Sequence, residues 1–209
     1  MKKIDFKKDF KELFLPPSKE PVIVKVPKMN YLMVNGQGAP KSKEFQEAIQ
    51  ALYGVTFTIK FTLKFTKIGP EYTVPPLDGL WWMKGNKPFD MKKKKDWLWR
   101  VMIMQPKHIT KKHVTEAIKT IREKDKKKKK KSNPSLDKVE LKPFKEGLCV
   151  QIIHIGPYSA EEPTIKKLHE FAKAKGYKLH GKHHEIYLSD PRRTKPKKLR
   201  TVLRQPIKK

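Results

Sequence analysis

One structural grammar is written twice in these 209 residues. PVIVKVPKMNYLMVNGQG is β-branched and apolar and ends in Gly36 and Gly38, which predicts a strand. A helix opens at Ser42, with Phe45, Ala48, Ile49 and Leu52 on one face. EYTVPPLDGLWW and DWLWRVMIMQP then read as two further strands. Past a lysine-rich stretch the order returns: LCVQIIHIGPYSAEEPTIKKLHEFAKAKG sets a strand before a helix, with Ile165, Leu168, His169 and Phe171 inward and a stop at Gly176. Two local matches fall in the same order, YLMVNGQGAP against QIIHIGPYSA and LWRVMIMQP against LRTVLRQP. A duplicated βαββ unit follows. It predicts an α+β fold in which two βαββ repeats meet about a pseudo-twofold axis, with helices on one face of an antiparallel sheet and a central cleft for a ligand.

The remaining segments set the boundaries. In residues 5–15, Phe6, Phe10, Leu13 and Phe14 make an amphipathic helical face closed by Pro16 and Pro17, so residues 1–21 read as a helical arm. The first half spans 22–125 and includes a connecting helix over Thr110–Glu123, with Val114, Ile118 and Ile121 inward. KDKKKKKKSNPS supplies a linker over 126–135, and the second half spans 136–209. Val55, Phe57, Ile59, Phe61, Leu63 and Phe65 alternate as in a strand, yet they also form two rows at four-residue spacing that suit a helix. Periodicity leaves the two open.

Lysine and arginine number 50 against 21 acidic residues, for a formal charge of +29. Such a surface attracts polyanions. Only six of the fifty are arginine, so the excess is not suited to reading bases or to bidentate phosphate contacts. Cys149 is the single cysteine. With no intrachain disulfide available, a reducing, cytoplasmic compartment is expected. The N-terminal stretch lacks the apolar run of a signal peptide, and no apolar run approaches a membrane span, so no membrane partner is expected.

HGKHHEIYLSDPRRT carries the strongest chemical signal. On a strand, Glu185 shares a face with His183 and Tyr187, while His184, Ile186 and Leu188 take the other. A carboxylate between Ile and Tyr is expensive to bury unless it is paired or its pKa is raised. It can serve as a counter-charge to a cationic ligand, as a general base, or simply as a surface carboxylate paired with a lysine. Tyr72, Trp81, Trp82, Trp97, Trp99 and Tyr158 cluster near strand ends, where aromatic faces suit a planar or cationic guest but equally suit a core. Trp81 and Trp82, adjacent on a strand, face opposite sides. His180, His183 and His184 match no zinc spacing, and no metal is expected. Asn35-Gly36-Gln37-Gly38 reads as a turn rather than a phosphate loop. Cys149 reads as a structural thiol, and Ser159 and Ser189 lack a base and an elbow motif.

VPKMNYLMVNGQGAP, EYTVPPLDGLWW, QIIHIGPYSAEEP and HHEIYLSDPRRT followed by KLRTVLRQP resemble the stand-alone GyrI-like (gyrase-inhibitor-like) small-molecule-binding proteins from about Val22 to Ile207. The resemblance implies the SOUL-like two-repeat fold and a cleft for amphipathic, aromatic or cationic drugs. It also implies a long helix after Val55. Some stand-alone members are cyclopropanoid cyclopropyl hydrolases, detoxifying duocarmycin-like and yatakemycin-like DNA-alkylating toxins. By that likeness Glu185 would orient or deprotonate the attacking water and Tyr72 would help position it. Trp81 or Trp82, Trp99 and Tyr158 would stack on the substrate, with His154, His183 and Tyr187 completing the lining. No cofactor is required. The oligomeric state and the natural ligand are left open.

Two further readings stand beside this one. Lys92, Lys93, Lys94 and Lys95, with Lys126, Lys127, Lys128, Lys129, Lys130 and Lys131, form runs that would bind nucleic acid without sequence preference and with steep salt dependence. The same fold could serve as a gyrase-inhibitor-type interaction module. Residues 1–21 are too few for a helix-turn-helix, so a ligand-gated repressor is not expected.

Overall fold

A strand, a helix and further strands follow one another twice in the computed structural model, with two strands after the first such helix and three after the second; it describes residues 3–86 and 93–209. The elements are α1 (Phe6–Asp9), α2 (Lys11–Phe14), β1 (Val22–Gln37), α3 (Lys43–Thr66), β2 (Leu77–Met83), β3 (Trp97–Gln105), α4 (Lys111–Lys127), β4 (Glu140–Ile155), α5 (Glu162–Ala174), β5 (Lys178–Leu179), β6 (His183–Tyr187) and β7 (Arg200–Lys208). The fold is mixed α+β with antiparallel strand pairing. The chain forms two compact units, and these interleave along the sequence rather than dividing it into successive halves. Unit 1 comprises Met1–Phe6, Met29–Pro75 and Trp82–Phe144; unit 2 comprises Lys7–Lys28, Pro76–Trp81 and Lys145–Lys209.

In unit 1, α3 settles the ambiguity after Val55 as one 24-residue helix. The Ser42 hydroxyl caps it, accepting from Phe45 N at 3.2 Å. Phe45, Ala48, Ala51, Leu52, Val55, Thr56, Ile59 and Leu63 form its buried stripe. Of the two apolar rows, 55/59/63 is buried and 57/61/65 is exposed. Strand β1 pairs with β3 from Asn30 opposite Gln105 to Gln37 opposite Leu98. Gly36 makes room for Trp99, because a Cβ there would lie 2.2 Å from the indole ring. The Phe45 ring meets Trp99 edge-on at 5.1 Å.

The predicted connecting helix extends further than its apolar pattern. Lysines 124, 126 and 127 occupy the last turn of α4, where cations favour the helix dipole. Asp125 closes the end, its carboxylate accepting from Ser132 Oγ at 2.9 Å. The expected linker boundary at 126 therefore falls inside the helix. Asn133 caps a short turn at Pro134–Lys138 that buries Leu136.

In unit 2, β7 pairs with β4, β5 and β6, and β6 pairs with β2. Helix α5 lays Leu168 and Ala172 on Val150, Ile152, Leu203 and Ile207, with Ile165 and Phe171 partly buried at the margin. The chain turns away just past its end at Gly176, whose φ of +76° admits no side chain cheaply. The expected arm helix over 5–15 is two single turns broken at Phe10, with Leu13 and Phe14 buried.

Candidate functional site

Strand β6 presents different chemistry on its two faces. His184 and Ile186 are buried on one, while His183, Glu185 and Tyr187 are half-buried on the other. The alternation follows the expected pattern, and the surroundings of each face come from residues distant in sequence.

On the Glu185 face, cross-strand pairing sets Trp81 opposite His183, Gly79 opposite Glu185 and Leu77 opposite Tyr187. The absent side chain at Gly79 makes room for a hydrogen bond from Trp81 Nε1 to the Tyr187 hydroxyl at 3.1 Å. A Cβ on Gly79 would sit 2.8 Å from that hydroxyl and 3.0 Å from the indole nitrogen. Tyr158 meets the Tyr187 ring edge-on at 5.6 Å. His183 Nε2 approaches Glu185 Oε1 at 3.5 Å.

A second carboxylate completes this face. Glu161, the residue before α5, is only 5% exposed, and its Oε1 has no protein hydrogen-bond partner. Burial and then the charge of Glu185 push its pKa up to about 9, so it holds its proton at neutral pH. The Tyr187 phenol is also pushed well up, by burial and then by Glu185. His169 on α5 is pushed down by burial and by His183, and its Nε2 likewise lacks a protein partner. The face thus offers a neutral acid, a carboxylate, two imidazoles and two aromatic hydroxyls beside an indole. That set can hold a cation, transfer a proton or stack a flat ring.

The other face of β6 is a closed ionic network. His184 Nδ1 lies 2.9 Å from Glu146 Oε1, and its Nε2 lies 3.4 Å from Asp78 Oδ2. Arg204 Nη1 reaches Glu146 Oε2 at 3.2 Å, its Nε donates to Gln151 Oε1 at 2.9 Å, and its Nη2 donates to Leu13 O at 2.6 Å. Gln151 in turn donates to Glu12 O, which ties the arm to the sheet. Burial alone would lower the His184 pKa, but the two carboxylates outweigh it and raise it to about 9. Glu146 is held below its ordinary range because His184 and Arg204 outweigh its burial, while burial dominates at Asp78 and raises it. Every charge here is engaged within the protein, so the network positions β6 rather than receiving a ligand.

The other expected site residues have surroundings of their own within each unit. Tyr72 is in unit 1, fully buried, with its hydroxyl 3.1 Å from Thr56 O and 3.3 Å from Gln105 Oε1, and burial raises its pKa. Trp82 and Trp99 also belong to unit 1, Trp99 in its core and Trp82 half-buried. His154 is buried in unit 2, with Nδ1 2.9 Å from Thr164 Oγ1 and Nε2 3.3 Å from Pro157 O. Among the described residues, Lys93, Lys94, Lys95 and Lys126 to Lys131 are exposed; Lys92 lies outside the described residues. Burial raises the Cys149 thiol, so its nucleophilic thiolate is disfavoured. Among the described residues, no group of three or more His, Cys, Asp or Glu side chains is placed to hold a metal ion.

The family profile of the GyrI-like small molecule binding domain matches residues 19–208, and the chain belongs to that family. Its solved relatives include an uncharacterized conserved protein from Listeria innocua, 39% identical, with a TM-score of 0.87 over 98% of this chain and 100% of the other. A hydrolase from Listeria innocua is 36% identical, with a TM-score of 0.84 over 98% and 100% of the two chains. A second hydrolase from the same organism is 39% identical, with a TM-score of 0.86 over 99% and 100%. The EcmrR C-terminal domain, 12% identical with a TM-score of 0.54 over 91% of this chain and 98% of the other, shares the fold. No curated protein matches the chain.

Proposed function

We propose that unit 2 binds a hydrophobic planar or cationic small molecule on the Glu185 face of β6, and that the protein hydrolyses cyclopropane-bearing genotoxins there. The observation that carries this reading is the Glu161 and Glu185 pair: one carboxyl proton-bearing, one able to accept, beside Trp81, Tyr158 and Tyr187. The two hydrolases from Listeria innocua support the catalytic half. Two strand–helix–strand runs, which differ by the short extra strand β5, support a two-repeat architecture.

In this mechanism Glu185 takes a proton from water as the oxygen attacks the cyclopropane carbon. The C–C bond breaks, and its electron pair moves through the conjugated ring to the carbonyl oxygen. Glu161 gives its proton to that oxygen, leaving a phenol. Transfer of the proton from Glu185 to Glu161 restores the pair, and the net change is addition of one water. Positioning and paired acid–base groups are sufficient for such a step, because ring strain and aromatisation drive it.

The test is a thermal-shift and mass-spectrometric screen of planar aromatic ligands, including a cyclopropane-bearing alkylator, on the wild type and on Glu185→Gln. Gain of one water by the alkylator with wild type alone supports hydrolysis with Glu185 as base. Stabilisation without turnover leaves a binding protein. No response to any ligand overturns the reading.

The exposed lysines of 93–95 and 126–131 favour a second role, non-specific association with nucleic acid. Replacing Lys126 to Lys131 by Gln is expected to reduce retention on DNA while sparing ligand binding, and loss of both would defeat the separation of roles.

A further inference from the structure

The exposed row of α3 takes no part in the site above. Tyr53, Phe57, Phe61 and Phe65 stack in succession, with ring centroids 6.1, 6.2 and 6.3 Å apart and planes within 25° of parallel. Exposure rises along the row, from 40% at Phe57 through 44% at Phe61 to 78% at Phe65, and Ile68 in the following turn is 64% exposed. Lys67, at a φ of +56°, and Gly69, at +79°, reverse the chain at this end. A non-glycine residue held in the left-handed region marks a turn whose shape is retained against strain.

The surroundings are basic. From Ala48 to Pro70 the sequence contains no acidic residue. Lys60 Nζ lies 5.8 Å and 5.7 Å from the Phe57 and Phe61 ring centroids, and Lys64 and Lys67 are exposed beside Phe65 and Ile68 in sequence. The His108 ring lies against Gly69, and exposed Lys107 and Lys111 flank it in sequence. Flanking these segments in sequence, Glu71 is exposed past the turn and Glu116 Oε1 lies 4.0 Å from Lys112 Nζ.

We propose that this end of α3 docks on an anionic lipid bilayer surface, with Phe65 and Ile68 entering the interface and Lys64, Lys67, Lys107 and Lys111 engaging the headgroups. Aromatic and aliphatic side chains at the tip and lysines around it are the arrangement that interfacial binding requires. A second copy of the chain is disfavoured as occupant because each copy carries +29. Single-stranded nucleic acid is disfavoured because Ile68, 64% exposed at the tip, offers no flat face for base stacking. No described helix is long and apolar enough to cross a membrane, so the contact is with the surface. The docking stands or falls independently of what unit 2 binds.

The test is co-sedimentation of the whole protein with vesicles of phosphatidylcholine, alone or mixed with phosphatidylglycerol. The wild type is expected to bind only the mixed vesicles, and Phe65→Ser with Ile68→Ser to weaken that binding about tenfold or more with Tm unchanged. Unaltered vesicle binding by the tip variant overturns the proposal. So does loss of binding with Lys126 to Lys131 replaced by Gln while the tip variant still binds. A tip variant that loses retention of single-stranded DNA, or loses self-association in sedimentation, with no vesicle binding in the wild type, assigns the face to those occupants instead.

Discussion

His184 and Glu185 are adjacent on β6 and face environments of opposite kind. The His184 ring is clamped between Glu146 and Asp78 in a sealed ionic network, while Glu185 meets His183 at 3.5 Å and raises the pKa of Glu161. The strand alternation that separates them lets one element be anchored on one side and chemically reactive on the other. A fixed backbone is what a carboxylate needs if it is to hold a water or a cation in one place.

The link between the two carboxylates is directly measurable. Removing the Glu185 charge in Glu185→Gln removes a cause that raises Glu161, so the Glu161 pKa is expected to fall by about one unit or more while staying above its ordinary value through burial. Carboxyl-carbon NMR titration of wild type and variant reads this. An unchanged Glu161 titration would mean that the two groups do not interact.

The ionic network responds to loss of one member more than its surface counterparts would. Glu146→Gln leaves Arg204 and His184 buried without their shared carboxylate, and a loss of about 3–5 kcal/mol is expected. Urea denaturation of the wild type and variant measures it. Replacing exposed Glu170, which meets Lys166 at 3.9 Å, is expected to cost less than about 1 kcal/mol.

The residues that build this network show where local sequence patterns stop being informative. Alternation over residues 183–188 placed Glu185 and His184 on opposite faces, because strand geometry is a local property. Glu146, Asp78 and Arg204 come from three other strands, and nothing in their spacing announces that they converge on His184. A faint signal existed at Arg204, a cation inside the apolar run of TVLRQPI, and at Glu146, next to the LCVQII run. Glu161 was hidden differently, since a Glu in the Glu-Glu-Pro of a helix start reads as an exposed dipole partner. For α3, both rows of apolar residues satisfied a strand and a helix alike, and only the long-helix resemblance chose between them. The exposed row 57/61/65 is what blurred the pattern, because a helix normally keeps one such stripe inward.

Gly79 offers a test of how finely the Glu185 face is arranged. A Cβ at this position would press on the Tyr187 hydroxyl at 2.8 Å and on Trp81 Nε1 at 3.0 Å, with the strand backbone held by pairing to β6. Gly79→Ala is therefore expected to break the indole-to-phenol hydrogen bond and to weaken binding of planar ligands by about tenfold, with a stability loss of about 1–3 kcal/mol from overpacking. Thermal shift and ligand titration on the same samples separate the two effects. Ligand affinity equal to wild type would show that Trp81 and Tyr187 do not line the ligand's position.

Rising pH should loosen unit 2 through His184 and Glu161 together. His184 titrates near 9 in the folded chain against an ordinary 6.5, and Glu161 near 9 against 4.5. Each therefore keeps a proton in the folded state that the unfolded chain has released, so folding takes up protons and stability falls as pH rises. The Glu161 contribution is complete below about 4.5 and the His184 contribution below about 6.5, and both are lost as pH climbs through about 9. Denaturant midpoints across this range are expected to fall steadily in the wild type. Glu161→Gln, which stays neutral throughout, should make the slope between about 4.5 and 6.5 shallower, where His184 is protonated in both states and the raised Asp78 carboxyl contributes equally to wild type and variant. The decline above about 6.5 should persist in that variant through His184. A variant curve that parallels the wild type below 6.5 would place the Glu161 proton elsewhere and remove the acid from the proposed mechanism.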